Sequence, residues 1–133
     1  MENSLERRLL VNAIITPDGT RLESTHRHDY KSYKDLNGEV YMVDGGSDYL
    51  RRNINIIPAT EACVYTDDSH LTIRETFRWG TRGKDGNQPI QRKILSTLDT
   101  DHIKAILETQ FHIEDHIKQV FQNELIFRKI NVE

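Results

Sequence analysis
The chain has 133 residues, of which 29% are charged and 36% apolar, and a net charge of −3. That length supports one ordinary core, and that composition is too apolar for a disordered chain. A mildly acidic balance argues against a non-specific nucleic-acid coat, which needs a basic field, and no apolar run approaches the roughly 18 residues of a membrane span.

Residues 1–8 lack the apolar stretch of a secretory signal, and Cys63 is the single cysteine. A lone cysteine excludes an internal disulfide and a thiolate-rich zinc site, so a reduced, cytoplasmic protein is expected. The excess acid lies in residues 99–133.

Leu9 to Ile15 is an apolar run of strand length, followed by the turn Thr16-Pro17-Asp18-Gly19. Thr20 to Ser24 and His28 to Lys34 read as extended. Asp35-Leu36-Asn37-Gly38 is a second turn, with a strong hairpin dipeptide, and Glu39 to Asp44 is rich in β-formers. These segments predict a four-stranded antiparallel meander over 9–44. Gly45-Gly46 stops it, and Ser47 or Asp48 is placed to cap one helical turn through Tyr49–Arg52. Asn53 to Pro58 reads as extended, and Glu61 to Tyr65 as a further short strand. A helix is predicted over Ser69–Phe77, with Ile73 and Phe77 on one face and Trp79-Gly80 ending it. Residues 83–89 form a turn-rich loop. Thr100 is the expected N-cap of a helix carrying Ile103, Ile106 and Leu107 on one face. A last helix over Glu114–Lys129 carries the stripe Ile117, Val120, Phe121 and Leu125. The expected fold is α+β: an N-terminal antiparallel β-meander, a middle helix and two C-terminal amphipathic helices. It is expected as a single domain, 1–133, with 9–53 as meander and Gly-Gly turn, 54–98 as a mixed segment and 99–133 as a helical tail.

Three constellations could carry chemistry. His26-Arg27-His28-Asp29 places two imidazoles on one face if the segment is a strand. Such a pair can hold a divalent ion given a third ligand, for which Asp44, Asp48 and His70 are candidates. The opposing reading is that these side chains fix turn geometry. Asp44-Gly45-Gly46 with Arg51 and Arg52 could cradle an anion on freed backbone N–H groups and a guanidinium fork; the plainer reading is a tight turn closed by an Asp–Arg pair. Arg74, Arg78, Trp79 and Arg82 interleave cations with aromatics, as a stacked base with a held phosphate would require. Core packing of Phe77 or Trp79 is the alternative. Cys63, in an apolar strand-like run, reads as a buried small residue rather than a nucleophile, and His112 with His116 as surface residues. No cofactor is expected.

The run Leu22-Glu23-Ser24-Thr25-His26-Arg27-His28-Asp29-Tyr30, followed by Val43-Asp44-Gly45-Gly46-Ser47-Asp48-Tyr49-Leu50-Arg51-Arg52, resembles an uncharacterised family of small phage and prophage proteins. The resemblance spans residues 14–53. Phe77-Arg78-Trp79-Gly80-Thr81, Lys84-Asp85-Gly86, Asp101-His102-Ile103 and the last helix resemble its longer members. Shorter members carry Cys-x-x-Cys pairs at the two turns, which implies a degenerate zinc-ribbon-like N-terminal module. Here those turns hold no cysteine, so hairpin chemistry replaces the metal. The resemblance implies a phage accessory protein in the cytoplasm of an infected bacterium. It also implies that His28-Asp29, Asp44-Gly45-Gly46 and Arg51-Arg52 meet in space, with Asp29 paired to Arg51 or Arg52.

The leading functional expectation is a non-enzymatic accessory protein. It would bind a host protein or sequester a nucleotide-like defence signal, with no membrane association and a homodimer if the last helix exposes its stripe. The alternatives are a small metal-dependent phosphodiesterase or nuclease using His26, His28 and Asp44, and a nucleic-acid adaptor with a basic stripe through Arg74, Arg78, Arg82 and Lys84.

Overall fold
A computed structural model describes residues 7–83 and 85–131. Lys84 and the N-terminal residues 1–6, on which two of the expectations above rest, lie outside the described residues. The fold is α+β, with antiparallel strands first, then a middle helix and two C-terminal helices. The chain divides into two compact units, one formed by Leu9–Tyr65 and the other by the residues after Tyr65 with Arg7 and Arg8.

The first unit holds β1 (Leu9–Ile15), β2 (Arg21–Ser24), β3 (Lys31–Lys34), β4 (Val40–Asp44), β5 (Arg51–Arg52), β6 (Thr60–Glu61) and β7 (Val64–Tyr65). β1 is central to one sheet, with β2 on one side and β6 and β7 on the other. Residues 10–14 are all buried, so β1 is covered on both faces and reads as a continuous apolar run broken only by Asn12. The second sheet has the order β3-β4-β5. The four strands expected over 9–44 therefore form, but as two hairpins in two sheets. β2 and β3 do not pair because the chain between them folds back on itself at residues 24–29, where Ser24 Oγ donates to Asp29 O at 2.7 Å. The two expected hairpin turns are present. Gly19 N–H bonds Thr16 O at 2.9 Å and Gly38 N–H bonds Asp35 O at 3.0 Å. Ile14, Tyr41 and Val43 make the core, with Leu22 and Ala59 packed on it.

Two local expectations fail here. Arg51 and Arg52 are not in a helical turn. They pair with Asp44 and Val43 as β5, because β4 has an open edge that backbone groups must satisfy. Glu61–Tyr65 is likewise two short strands, β6 and β7, with a register shift in β1 between Leu9 and Val11. Beyond β5 the edge of β4 is closed by side-chain amides. Asn53 Oδ1 accepts Met42 N–H at 3.0 Å, and both Asn53 and Asn55 donate to Val40 O. With the two asparagine amides reaching to the edge of β4, the alternate residues Ile54 and Ile56 turn to solvent, 98% and 94% exposed.

The second unit holds α1 (His70–Thr76), the hairpin β8 (Arg78–Thr81) and β9 (Gln91–Ile94), a 3₁₀ turn at Leu95–Thr97, α2 (Thr100–Thr109) and α3 (Asp115–Asn131). Ser69 Oγ accepts Thr72 N–H at 3.3 Å and starts α1. Ile73, Phe77, Leu95, Leu98, Ile103, Ile106, Val120 and Phe121 are buried, so the expected helical stripes face inward. The β8–β9 pairing was not expected. Trp79-Gly80 reads as a stop in sequence, yet the hairpin register runs from Arg78 opposite Ile94 to Thr81 opposite Gln91. Asp99, rather than Thr100, occupies the N-cap of α2, and its side chain makes no capping bond.

Candidate ligand-binding cleft
The signature residues of the first unit do meet. Gly46, at φ +55°, lies so close to residue 26 that a Cβ would stand 2.4 Å from the His26 carbonyl carbon. Only glycine fits that approach and that φ. Gly46 N–H donates to Ser24 Oγ at 2.8 Å, so it is not free to hold an anion. Gly45, at φ +110°, is equally crowded by Tyr49. The buried Asn12 donates to Asp44 O at 3.0 Å and Tyr49 O at 3.3 Å, fastening the end of β4 to β1.

His26 and His28 lie in a turn, not a strand, and His28 has φ +66°. Arg27 Nε–H donates to His28 Nε2 at 3.3 Å. That contact assigns the ring proton to Nδ1, which faces Tyr49 Oη at 2.8 Å. Tyr49 in turn donates to Asp44 Oδ2 at 3.3 Å, and Arg51 Nε stands 3.9 Å from the same oxygen. Asp44 Oδ1 is buried with no partner among the described residues. His26 Nδ1 lies 3.0 Å from Thr25 Oγ1. The imidazoles are thus committed to different neighbours. Among the described residues no three His, Cys, Asp or Glu side chains are grouped to hold a metal ion.

Asp29 is not paired with Arg51 or Arg52. Burial opposes its ionisation, but the Thr25 N–H at 2.7 Å, Lys31 Nζ at 2.9 Å and the Thr25 hydroxyl outweigh that and lower the carboxyl to about 2. Arg52 reaches Cys63 Sγ at 3.5 Å instead. The sequence places Asp29 beside arginines only through the signature. A lysine two residues on, Lys31 at the start of β3, is nearer and wins.

The arginine and aromatic segment of the second unit divides. Arg74 is consumed internally. Its Nη2 lies 2.8 Å from Glu124 Oε2, and its guanidinium sits 4.3 Å above the Phe127 ring. Glu124 is 0% exposed and also takes Arg128 Nε at 2.7 Å and His70 Nε2 at 2.8 Å. Burial opposes ionisation of Glu124, yet hydrogen bonds from Arg74, Arg128 and His70 prevail and hold its carboxyl below the ordinary value. Arg78 is exposed on β8 and donates to Arg92 O at 3.3 Å.

Trp79 and Arg82, by contrast, line a cleft of about 680 Å³ within the second unit. One wall is β8 and the following loop, with Gly80, Thr81, Gly83 and Gly86. The other is α2, which presents His102, Ala105, Ile106 and Thr109 at helical spacing, with Gln110 just past its end and Asp99 and Asp101 at its start. The volume lies in the range of small-molecule sites, about 300–1,000 Å³. Trp79 is half-buried and set edge-to-face against Phe121, with centroids 5.1 Å apart at 88°. The indole is therefore held rigidly by the core while part of it borders the cleft. Arg82 is exposed and makes no ion pair among the described residues. The sequence singled out Trp79 and Arg82. It missed the α2 wall, although 102, 105 and 109 already share one helical face.

No protein-family description, curated protein or solved structure matches this chain. No helix among the described residues is long and apolar enough to cross a membrane.

Proposed function
We propose that this protein is a non-enzymatic binding protein whose cleft takes a nucleotide-like anion. The observation that carries the reading is the conjunction of Trp79 and Arg82 in one cleft of nucleotide size. A core-anchored indole offers a stacking plane for a base, and the Arg82 guanidinium, without an ion pair among the described residues, offers bidentate hydrogen bonds to a phosphate. His26 Nδ1 is engaged by Thr25 and His28 Nδ1 by Tyr49 rather than by a common centre, which supports binding over hydrolysis at a His26–His28 metal. The resemblance to small phage proteins supports an accessory role in the cytoplasm of an infected bacterium, where withdrawing a nucleotide-like signal is useful to the phage.

Trp79 is the sole tryptophan, so its fluorescence reads the cleft directly. Titration with nucleoside mono- and diphosphates is expected to quench it saturably. Arg82→Ala should weaken binding by about ten- to a hundredfold, the worth of one charged hydrogen bond at about 1.5–3 kcal/mol. No saturable change with any nucleotide at millimolar concentration, or undiminished binding by Arg82→Ala, would sink the reading.

A further inference from the structure
We infer that the cleft selects guanine over the other bases, an inference that rests on the nucleotide reading above. The cleft is not simply basic. Besides Arg82 it is lined by Asp99 and Asp101, both exposed, and neither side chain makes an ion pair or hydrogen bond among the described residues. Asp99 is the more telling. It occupies the N-cap of α2, where an aspartate ordinarily bonds the N–H groups of the first turn. Its side chain makes no such bond and lines the cleft instead.

Two free carboxylates repel a ligand that offers only anionic oxygens. They suit a ligand that turns N–H donors toward α2 while its phosphate meets Arg82 at the β8 end. Among the common bases, guanine alone carries two adjacent parallel donors, N1–H and the N2 amino group, on one edge. A carboxylate accepts both at once in a two-point contact. Adenine sets its N6 amino donor beside the N1 acceptor, and cytosine sets N4 beside N3, so a carboxylate would face a lone pair in each. Uracil has one N–H between two carbonyls. Unpaired acceptors left facing a mismatched edge give discrimination that shape alone does not.

Calorimetric titration of the full chain with GMP, AMP, CMP, UMP and IMP tests this. GMP should bind at least tenfold more tightly than AMP, CMP or UMP. IMP, which keeps N1–H but lacks the N2 amino group, should fall between. The double variant Asp99→Asn and Asp101→Asn should bring GMP to within threefold of AMP while AMP itself is unchanged or tighter. Both positions are exposed, and an unaltered Trp79 unfolding transition would show that the variant is folded. AMP binding as tightly as GMP would overturn the guanine assignment and leave the nucleotide reading standing. A guanine preference that survives in the double variant would overturn the role of the two aspartates. No binding by any of the five would overturn both readings together.

Discussion

Glu124→Gln should destabilise the second unit by about 3 kcal/mol. Glu124 is fully enclosed and bonded to His70, Arg74 and Arg128 at 2.7–2.8 Å. Glutamine keeps the shape but removes the charge and turns an amide N–H₂ toward a guanidinium. Removing one member of a buried ion pair costs roughly 3–5 kcal/mol, because the survivor is left uncompensated. Arg74 and Arg128 retain slight solvent access, 17% each, which sets the expectation at the lower end. That is about a hundredfold in the folded-to-unfolded ratio. The assay is urea unfolding followed by Trp79 fluorescence, since Trp79 packs on Phe121, one helical turn from Glu124. With a slope of about 1.5 kcal/mol/M, the midpoint should fall by about 2 M. The pH dependence has a definite sign. A carboxyl held below its unfolded value of 4.5 stabilises fully above that value and loses its contribution as pH falls below it. The gap between wild type and variant should therefore close in acid. A loss under about 0.5 kcal/mol, as exposed pairs give, or a gap that stays constant down to low pH, would refute the account.

Asp29, lowered to about 2 from 3.8, should contribute about 2 kcal/mol to the first unit above pH 4 and lose it between pH 4 and 2, readable by carboxyl NMR titration and by Asp29→Asn. Gly46→Ala should be far more damaging than Gly19→Ala. Both glycines have positive φ, but a Cβ at Gly46 strikes the residue-26 backbone whereas one at Gly19 meets nothing within 4 Å. Gly19→Ala should cost about 1–2 kcal/mol in tyrosine-monitored unfolding, from backbone strain alone. Equal losses at the two sites would contradict the steric argument.

Much of the fold could be read from the residues because it rests on local signals. Asp35-Leu36-Asn37-Gly38 makes its turn, and Ile103 with Ile106 and Val120 with Phe121 bury the faces their spacing marks. What could not be read depends on partners remote in sequence. The β8–β9 hairpin has no clean alternation in Arg-Trp-Gly-Thr or Gln-Arg-Lys-Ile, and forms because Leu95 N–H and Phe77 O, 2.8 Å apart, extend its pairing into the core. Glu124 did leave a trace. It stands four residues after Val120, a charge on the buried face of α3, which should prompt a search for cations. Naming Arg74, 50 residues away, requires the fold. The cleft was half visible, through Trp79 and Arg82. Its α2 wall looks in sequence like any solvated helix face until the hairpin is seen opposite.

The course of the backbone at Arg8 and Thr66 has an evolutionary consequence. Arg8 N–H bonds Thr66 Oγ1 and Thr66 N–H bonds Arg8 O, each at 2.9 Å, while Leu9 faces Tyr65 in register. The chain therefore enters and leaves the Leu9–Tyr65 unit through a single doorway. A segment whose two ends are neighbours can be spliced into, or deleted from, a host fold with little disturbance to either, as inserted domains are. The cleft-bearing portion, with Arg8 joined to Thr66 by a short glycine link, is the natural minimal piece on which to test the proposed ligand binding. The β-rich portion becomes an interchangeable cassette that can be gained, lost or exchanged as a block.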